Sequence, residues 1–167
     1  PSRMVDIGDS APDFTVPKAG GTAYNDLESF TLSDVVSDGP TVLSFYPAAF
    51  TSGCTSQMCS LRDSMYQFDE LDAQVYGVSV DLPFAQNIWI QQEELKFPML
   101  SDWDHEVIRK YDAVLDDMYG MVEVAERATF VVDTDGVVTY AWVREGDENP
   151  DFDELTATVR DAVEDVL

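Results

Sequence analysis

Thr51, Cys54 and Cys59 place a hydroxyl and the chain's only two thiols in one short segment, Phe45-Tyr46-Pro47-Ala48-Ala49-Phe50-Thr51-Ser52-Gly53-Cys54-Thr55-Ser56-Gln57-Met58-Cys59. The apolar residues Val42, Leu43 and Phe45 read as a buried strand that ends at Pro47, after which Cys54 opens a helix. A helix start leaves backbone N–H groups without intrahelical partners, and the helix dipole adds partial positive charge there. A thiolate at that place is stabilised relative to the thiol. The thiolate is the nucleophile. Thr51, one short turn earlier, can offer a hydroxyl hydrogen bond to a substrate oxygen or to the sulfur. Pro47 removes a backbone donor and fixes the chain direction as the strand ends. A free cysteine is commonly an inert, buried, small apolar residue. The helix start and the Pro-x-x-x-Thr-x-x-Cys spacing argue instead for an activated one.

The second thiol carries a geometric consequence. Five residues along a helix is a rise of about 7.5 Å and a rotation of about 140°. A disulfide needs Cα atoms about 4.4–6.8 Å apart. Cys54 and Cys59 therefore cannot bridge in an intact helix, and a bridge would require its first turns to unwind. The Ser, Gly and Thr residues around Cys54 are modest helix formers, which lowers that cost. The alternative is that Cys59 is a packing residue and the partner thiol comes from another molecule.

Arg127 precedes Phe130-Val131-Val132, an apolar run bounded by Asp133-Thr134-Asp135-Gly136 that reads as a buried strand. A guanidinium is always charged and offers several donors. Beside Cys54 it would favour the thiolate and bind the oxygens of a transition state. Its residue type alone fits a surface arginine paired with one of many acids equally well.

These residues carry a resemblance. Pro47-x-x-x-Thr51-x-x-Cys54 resembles the signature of the peroxiredoxins, thiol peroxidases on a thioredoxin-like fold. Residues 51–63 resemble the active-site helix of the bacterioferritin comigratory protein, or peroxiredoxin Q, group. Segments 100–107 and 127–133 and the opening 8–14 are similar to that group too, so the resemblance runs from about residue 5 to the end. It implies that Cys54 is the peroxidatic cysteine, attacking the O–O bond and becoming sulfenic acid. It implies that Pro47 shields this thiol, that Thr51 holds the peroxide, and that Arg127 is the active-site arginine. Gln57 stands where the family often has a Glu, Gln or His that orients the arginine. Cys59 matches the resolving cysteine of the subtype with both cysteines on one helix, which implies an intramolecular disulfide. Ser52 departs from the pattern, standing where a second proline is frequent.

The same resemblance implies an α/β, thioredoxin-like fold, a central mixed sheet flanked by helices on both faces, with an N-terminal β-hairpin. It implies a peroxidase that reduces hydrogen peroxide and organic hydroperoxides without metal or cofactor. Its reductant would be a thioredoxin-like or other dithiol, and the protein a monomer or homodimer. A thioredoxin-type disulfide reductase fits less well: there is no Cys-x-x-Cys, and Ala128 occupies the place where that class carries a cis-proline. A non-enzymatic redox sensor or binding protein on the same fold is the rival from another class.

The elements that must position these residues follow from periodicity. Residues 13–16 and 29–32 are expected to form a hairpin around Ala19-Gly20-Gly21. Strand 41–46 leads to helix 54–71, where Met58, Leu61, Met65 and Phe68 recur at helical spacing. Strand 75–80, helix 84–95 and helix 104–111 follow. Strands 128–133 and 137–143 flank the Asp135-Gly136 turn, and Asn149-Pro150 caps a last helix, 151–167. His105, the only histidine, reads as a surface residue at a helix start, and a metal site from Cys54, Cys59 and His105 lacks the short paired spacings of zinc motifs. Trp89, Trp103 and Trp142 read as packing residues.

Length and composition favour one domain over 1–167 with an ample core, 45% of residues being hydrophobic. No apolar run approaches the roughly 20 residues of a membrane span. Pro1-Ser2-Arg3-Met4 lacks an apolar signal core, and two reactive-looking thiols suit a reducing cytoplasm. The 33 acids outnumber nine bases, for a net charge of −24. That charge repels nucleic-acid phosphate and anionic membrane, so neither partner is expected. The acids are spread along the chain, as in proteins adapted to molar salt, where screening acts within about 3 Å. Removing salt lengthens that distance to about 30 Å at 0.01 M, and like-charge repulsion then opposes compaction. The thermal midpoint and any thiol activity should therefore fall together as salt is withdrawn and recover on its return. A midpoint that stays flat between molar and millimolar salt would contradict the salt-adapted reading.

Overall fold

The computed structural model describes residues 5–167; Pro1-Ser2-Arg3-Met4, read above for a signal core, lie outside the described residues. The strands are β1 (Thr15–Ala19), β2 (Leu27–Thr31), β3 (Thr41–Phe45), β4 (Gln74–Ser79), β5 (Met99–Ser101), β6 (Val114–Met118), β7 (Met121–Ala125), β8 (Ala128–Val132) and β9 (Val138–Val143). The helices are α1 (Leu32–Val35), α2 (Ser52–Asp63), α3 (Met65–Glu70), α4 (Pro83–Glu93), α5 (Glu106–Lys110) and α6 (Phe152–Glu164). Seven strands form one mixed sheet in the order β2-β1-β5-β4-β3-β8-β9, and β6 with β7 forms a separate hairpin. The pairs β3–β4 and β4–β5 are parallel, and the other pairs are antiparallel.

Strands β3 and β8 are buried at every position. Their near-continuous apolar sequences are what a central strand covered on both faces requires. Strand alternation then divides the core in two. Val42 and Val131 face Met58, Leu61, Phe68, Trp89 and Val159, which come from α2, α3, α4 and α6. Leu43, Phe45 and Phe130 face the other way, against Ile108 and Tyr111 beside α5 and Phe14 and Phe30 near the hairpin. Helices thus cover both faces of the sheet, and β1 with β2 supplies the expected N-terminal hairpin.

Register positions the site. Phe45 pairs with Ala128, and Ala128 with Val143. Tyr46, Arg127 and Arg144, one step beyond these pairs, therefore meet at one end of the sheet. The Arg144 N–H donates to the Arg127 carbonyl at 2.9 Å and continues the ladder.

Some expectations change. The helix expected over 54–71 starts two residues earlier, at Ser52, and breaks at Ser64, whose ψ of 2° leaves helical geometry. The last helix is capped by Asp151, whose carboxylate accepts from the N–H groups of Asp153 and Glu154, and not by Asn149-Pro150. Strand β5 has only three residues, too few to show a period. Trp89 is fully buried as expected, but Trp103 is 56% exposed. His105 is half-buried and precedes α5 with a left-handed φ of 68°.

Asp102 ties β5 to α5. It is fully buried, and its carboxylate accepts from Val107 N–H at 2.9 Å and Ile108 N–H at 2.8 Å. Burial raises its pKa from 3.8 to about 6, against the opposing pull of the two hydrogen bonds. The folded protein therefore keeps this proton to higher pH than the unfolded chain does. The resulting stability is full below the unfolded value and is lost as pH rises through about 6. Asp102→Asn lacks that component. The midpoint of the variant minus that of the wild type should rise from pH 4 to pH 7 in thermal scans; a pH-independent difference would contradict the assignment.

Candidate active site

The loop after β3 is shaped before any side chain acts. Tyr46 N–H donates to Val78 carbonyl and extends the β3–β4 pairing by one bond. Ala49 N–H donates to the Asp81 carboxylate at 2.9 Å, and Ser79 Oγ donates to the same oxygen at 2.7 Å. Burial raises the pKa of Asp81, which these donors partly offset. Phe50 turns the chain with a φ of 71°. Thr51 Oγ1 then donates to Ala48 carbonyl at 2.8 Å, closing the turn. Its hydrogen is committed there, so toward the cavity this oxygen is an acceptor, where the sequence suggested a donor.

Thr51 is also the N-cap of α2, but its side chain makes no capping hydrogen bond. Cys54 therefore sits in the first turn, among N–H groups that no side chain caps. It is 1% exposed, with Sγ 3.2 Å from Arg127 Nη1. The same Nη1 donates to Gln57 Oε1 at 3.0 Å. Gln57 is held in turn by donating to Ser44 Oγ at 2.9 Å and Phe45 carbonyl at 3.0 Å. Arg127 Nε donates to Asn149 Oδ1 at 2.8 Å, and the guanidinium stands 5.6 Å above the Phe152 ring. Arg127 is thus fixed on three sides by neutral groups.

Arg144 completes the cluster. Its Nη1 shares Asn149 Oδ1 at 2.8 Å, and its Nε lies 2.9 Å from Glu126 Oε1 in an ion pair that is nearly buried. That Nε–H is not aimed along a hydrogen bond, so the contact is charge pairing more than a directed bond. Pro47, Thr51, Cys54 and Arg127 line one cavity of about 490 Å³, together with Leu115, Asp117, Met118 and Tyr119 of the β6–β7 hairpin and Asp147.

The structure brings Cys54, Thr51, Pro47, Arg127 and Gln57 together and leaves Cys59 outside the cavity. Cys59 is half-buried and packs against the core under α2. Burial pushes its thiol above the usual pKa, with Arg62 opposing and Glu93 and Asp63 adding to the rise. Among the described residues no group of three His, Cys, Asp or Glu side chains could hold a metal ion, and no helix is long and apolar enough to cross a membrane.

Sequence reading missed Arg144, Asn149, Glu126, Asp81 and the β6–β7 hairpin. Arg144 was recoverable: counting outward from the Asp135-Gly136 turn sets it opposite Arg127. Asn149 reads from the sequence only as a helix-end residue, and nothing local links it to Arg127. The hairpin turns on Tyr119-Gly120, both with positive φ. Its strands are mostly exposed or half-buried, only Val124 and Ala125 being buried, and lack a clear period of two.

Residues 7–141 match the AhpC/TSA family. The chain belongs to that family. Alkyl hydroperoxide reductase E of Mycobacterium bovis is 32% identical over 146 residues, covering 87% of this chain and 90% of that protein. The crystal structure of peroxidoxin BcpB from Mycobacterium tuberculosis matches with a TM-score of 0.82 at 29% identity, covering 98% of this chain and 99% of that one. Peroxiredoxin Q of Xanthomonas campestris shares the fold, with a TM-score of 0.78 at 24% identity over 96% of both chains. The protein is a peroxiredoxin, a thiol-dependent peroxidase of the type served by thioredoxin-like reductants.

Within this peroxiredoxin, Gly53 leaves room for the arginine. A Cβ there would fall 2.6 Å from Arg127 Nη2 and 3.0 Å from Asn149 Nδ2. Arginine ends usually yield, but this one is held by Cys54, Gln57 and Asn149. Gly53→Ala gains helix propensity, though less than the roughly 1 kcal/mol of a helix interior because residue 53 lies in the first turn. It should nevertheless slow peroxide-driven oxidation of Cys54 at least about tenfold, since a displaced guanidinium loses its contact with sulfur. Stopped-flow rates falling while the thermal midpoint holds or rises would be the expected pair; an unchanged rate would contradict the role of Gly53.

Proposed function

We propose that Cys54 is the peroxidatic cysteine and Cys59 its resolving partner. The observation that carries the reading is the 3.2 Å contact between Cys54 Sγ and Arg127 Nη1 inside an open cavity. The Cys54 thiolate attacks one oxygen of the hydroperoxide; an S–O bond forms as the O–O bond breaks. The second oxygen leaves as an alcohol or water once protonated. Sulfur gives up two electrons, the peroxide takes them, and Cys54 becomes a sulfenic acid. Arg127 stabilises negative charge spread over sulfur and the oxygens in this step. Thr51 Oγ1 accepts from the hydroperoxide O–H and orients it. Gln57 orients Arg127, and Pro47 shields the sulfur.

The Cys59 thiol then attacks the sulfenic sulfur, forming a disulfide and releasing water, and an external dithiol reduces that disulfide. The step requires the segment 52–59 to leave its helical conformation, as the spacing argued. Ser60 supplies a natural stop, because its Oγ lies 2.7 Å from Asp153 Oδ1 and 2.9 Å from Thr156 Oγ1 and so pins α2 to α6. In the folded helix the raised pKa of Cys59 keeps it a weak nucleophile, and unwinding would expose it.

We read hydrogen peroxide and organic hydroperoxides as substrates of this chemistry, and the chain as one domain over 1–167 that works as a monomer or homodimer. The charge of −24, with 33 acids, supports a salt-adapted cytoplasm as its setting.

Cys54→Ser should abolish peroxide consumption. Cys59→Ser should keep the first oxidation, lose the intramolecular disulfide and accumulate sulfenic or more oxidised sulfur. Stopped-flow rates with intact mass at each stage check both. Wild-type rates in Cys54→Ser would overturn the nucleophile. Binding of peroxide without catalytic consumption would favour a redox sensor.

A further inference from the structure

The cavity in front of Cys54 is far larger than hydrogen peroxide needs. Its volume of about 490 Å³ falls within the range of small-molecule sites. The β6–β7 hairpin contributes an apolar wall of Leu115, Met118 and Tyr119. Asp117 stands on that same wall, and Asp147 faces the cavity from the segment after β9.

The charges at the site divide unevenly. The deep cations are already engaged: Arg127 holds Cys54, Gln57 and Asn149, and Arg144 holds Asn149 and Glu126. Asp117 and Asp147 are exposed and form no ion pair among the described residues. An incoming molecule therefore meets two uncompensated carboxylates before it meets any cation.

We propose that this mouth sorts organic hydroperoxides by charge, admitting uncharged ones along Leu115, Met118 and Tyr119 and holding back those that carry a carboxylate. The inference rests on Cys54 as the peroxide-reactive thiol and adds the substrate class. Two exposed like charges lining an open cavity act through a high dielectric, so the discrimination is modest. At about 7 Å each would slow an anion roughly twofold in water-like surroundings, and the acidic surface behind them adds to this. Added salt weakens it, because the screening length falls from about 10 Å at 0.1 M to about 3 Å at 1 M.

The test compares cumene hydroperoxide with its para-carboxylate analogue, which differ in charge at one remote position. Second-order rates of Cys54 oxidation are measured by stopped flow, at the lowest salt at which circular dichroism shows the native fold and again at higher salt. At about 0.1 M salt the uncharged hydroperoxide should react about threefold faster, and the ratio should fall toward one as salt approaches about 1 M. In an Asp117→Asn/Asp147→Asn double variant the ratio should shrink toward one at fixed salt. Equal rates for the two hydroperoxides in the wild type, or a ratio that the double variant leaves unmoved, would overturn the proposal while leaving the peroxidase reading intact. Failure of both to oxidise Cys54 would overturn that reading and the proposal with it.

Discussion

Arg127 stands beside the Cys54 sulfur with no carboxylate on its head group, and much of this structure answers that one constraint. The difficulty is sharp in a chain with 33 acids and six arginines. A carboxylate on Arg127 would fix its position but would also cancel the charge the sulfur needs. Gln57 and Asn149 offer amide oxygens instead, at 3.0 and 2.8 Å, and Phe152 offers a ring face. These groups orient the guanidinium and leave its charge for Cys54. The nearby acid, Glu126, is turned elsewhere: it accepts from the Arg127 backbone N–H at 2.7 Å and pairs with Arg144. The same side chain therefore anchors the arginine's backbone and compensates its neighbour, not the arginine's own head group.

The fold supplies this arrangement by convergence of distant segments. Pairing of β3 with β8 brings Arg127 to the strand end from which the Cys54 loop departs, and pairing of β8 with β9 brings Arg144 alongside. Asn149 and Phe152 arrive because α6 begins there, and Ser60 locks that helix start against α2. Asp81, at the end of β4, grips Ala49 and so fixes the loop from below. A buried carboxylate with a raised pKa is costly to keep charged, but here it receives a backbone N–H that would otherwise be unpaired. Loss of any one of these ties would loosen the loop or the cation independently, because they enter from different strands and helices.

How much of this was legible depended on whether a signal was local. Cys54, Thr51 and Pro47 lie in one contiguous run, and physical chemistry of helix starts plus the spacing was enough to single them out. Arg127 was not readable from its own neighbours, since an arginine before a strand has many fates; resemblance to a family singled it out, and strand register explains it. Gln57 lies one turn beyond Cys54, within reach of the same argument. Asn149 carried only its proximity to Pro150, and a side chain whose role is to hold another side chain leaves no periodic mark. The buried strands β3 and β8 were plain because they are apolar apart from Thr41, Ser44 and Thr129. The β6–β7 hairpin was not, since half-buried strands with acids at Asp116 and Asp117 look like a loop. The break at Ser64 was hidden because the apolar spacing runs through it: Leu61, Met65 and Phe68 keep helical intervals while one backbone residue departs.

Under the proposed pairing of Cys54 with Cys59, the two thiols would place opposite demands on α2. The helix must be ordered for Cys54 to meet Arg127, yet Cys54 and Cys59 can join only if its first turns are lost. A strongly capped, alanine-rich helix would serve the first demand and defeat the second. Ser52, Gly53, Thr55 and Ser56 are weaker helix formers, and no side chain caps the first turn. What holds the segment is therefore tertiary: Gln57 on Ser44 and Phe45, Arg127 on Cys54, and Met58 in the core. Oxidation changes one of those ties directly, because a sulfenic oxygen on Cys54 would have to be fitted at the place where Sγ and Nη1 now meet. Loosening that begins at Cys54 must therefore free Gln57 and Met58 before it reaches Cys59, and from Ser60 onward it meets a helix bonded to α6 with Leu61 buried. A resolving thiol at Cys59 would thus be reached only at the expense of the Gln57 and Met58 ties, while the bonds of Ser60 to α6 could stay in place.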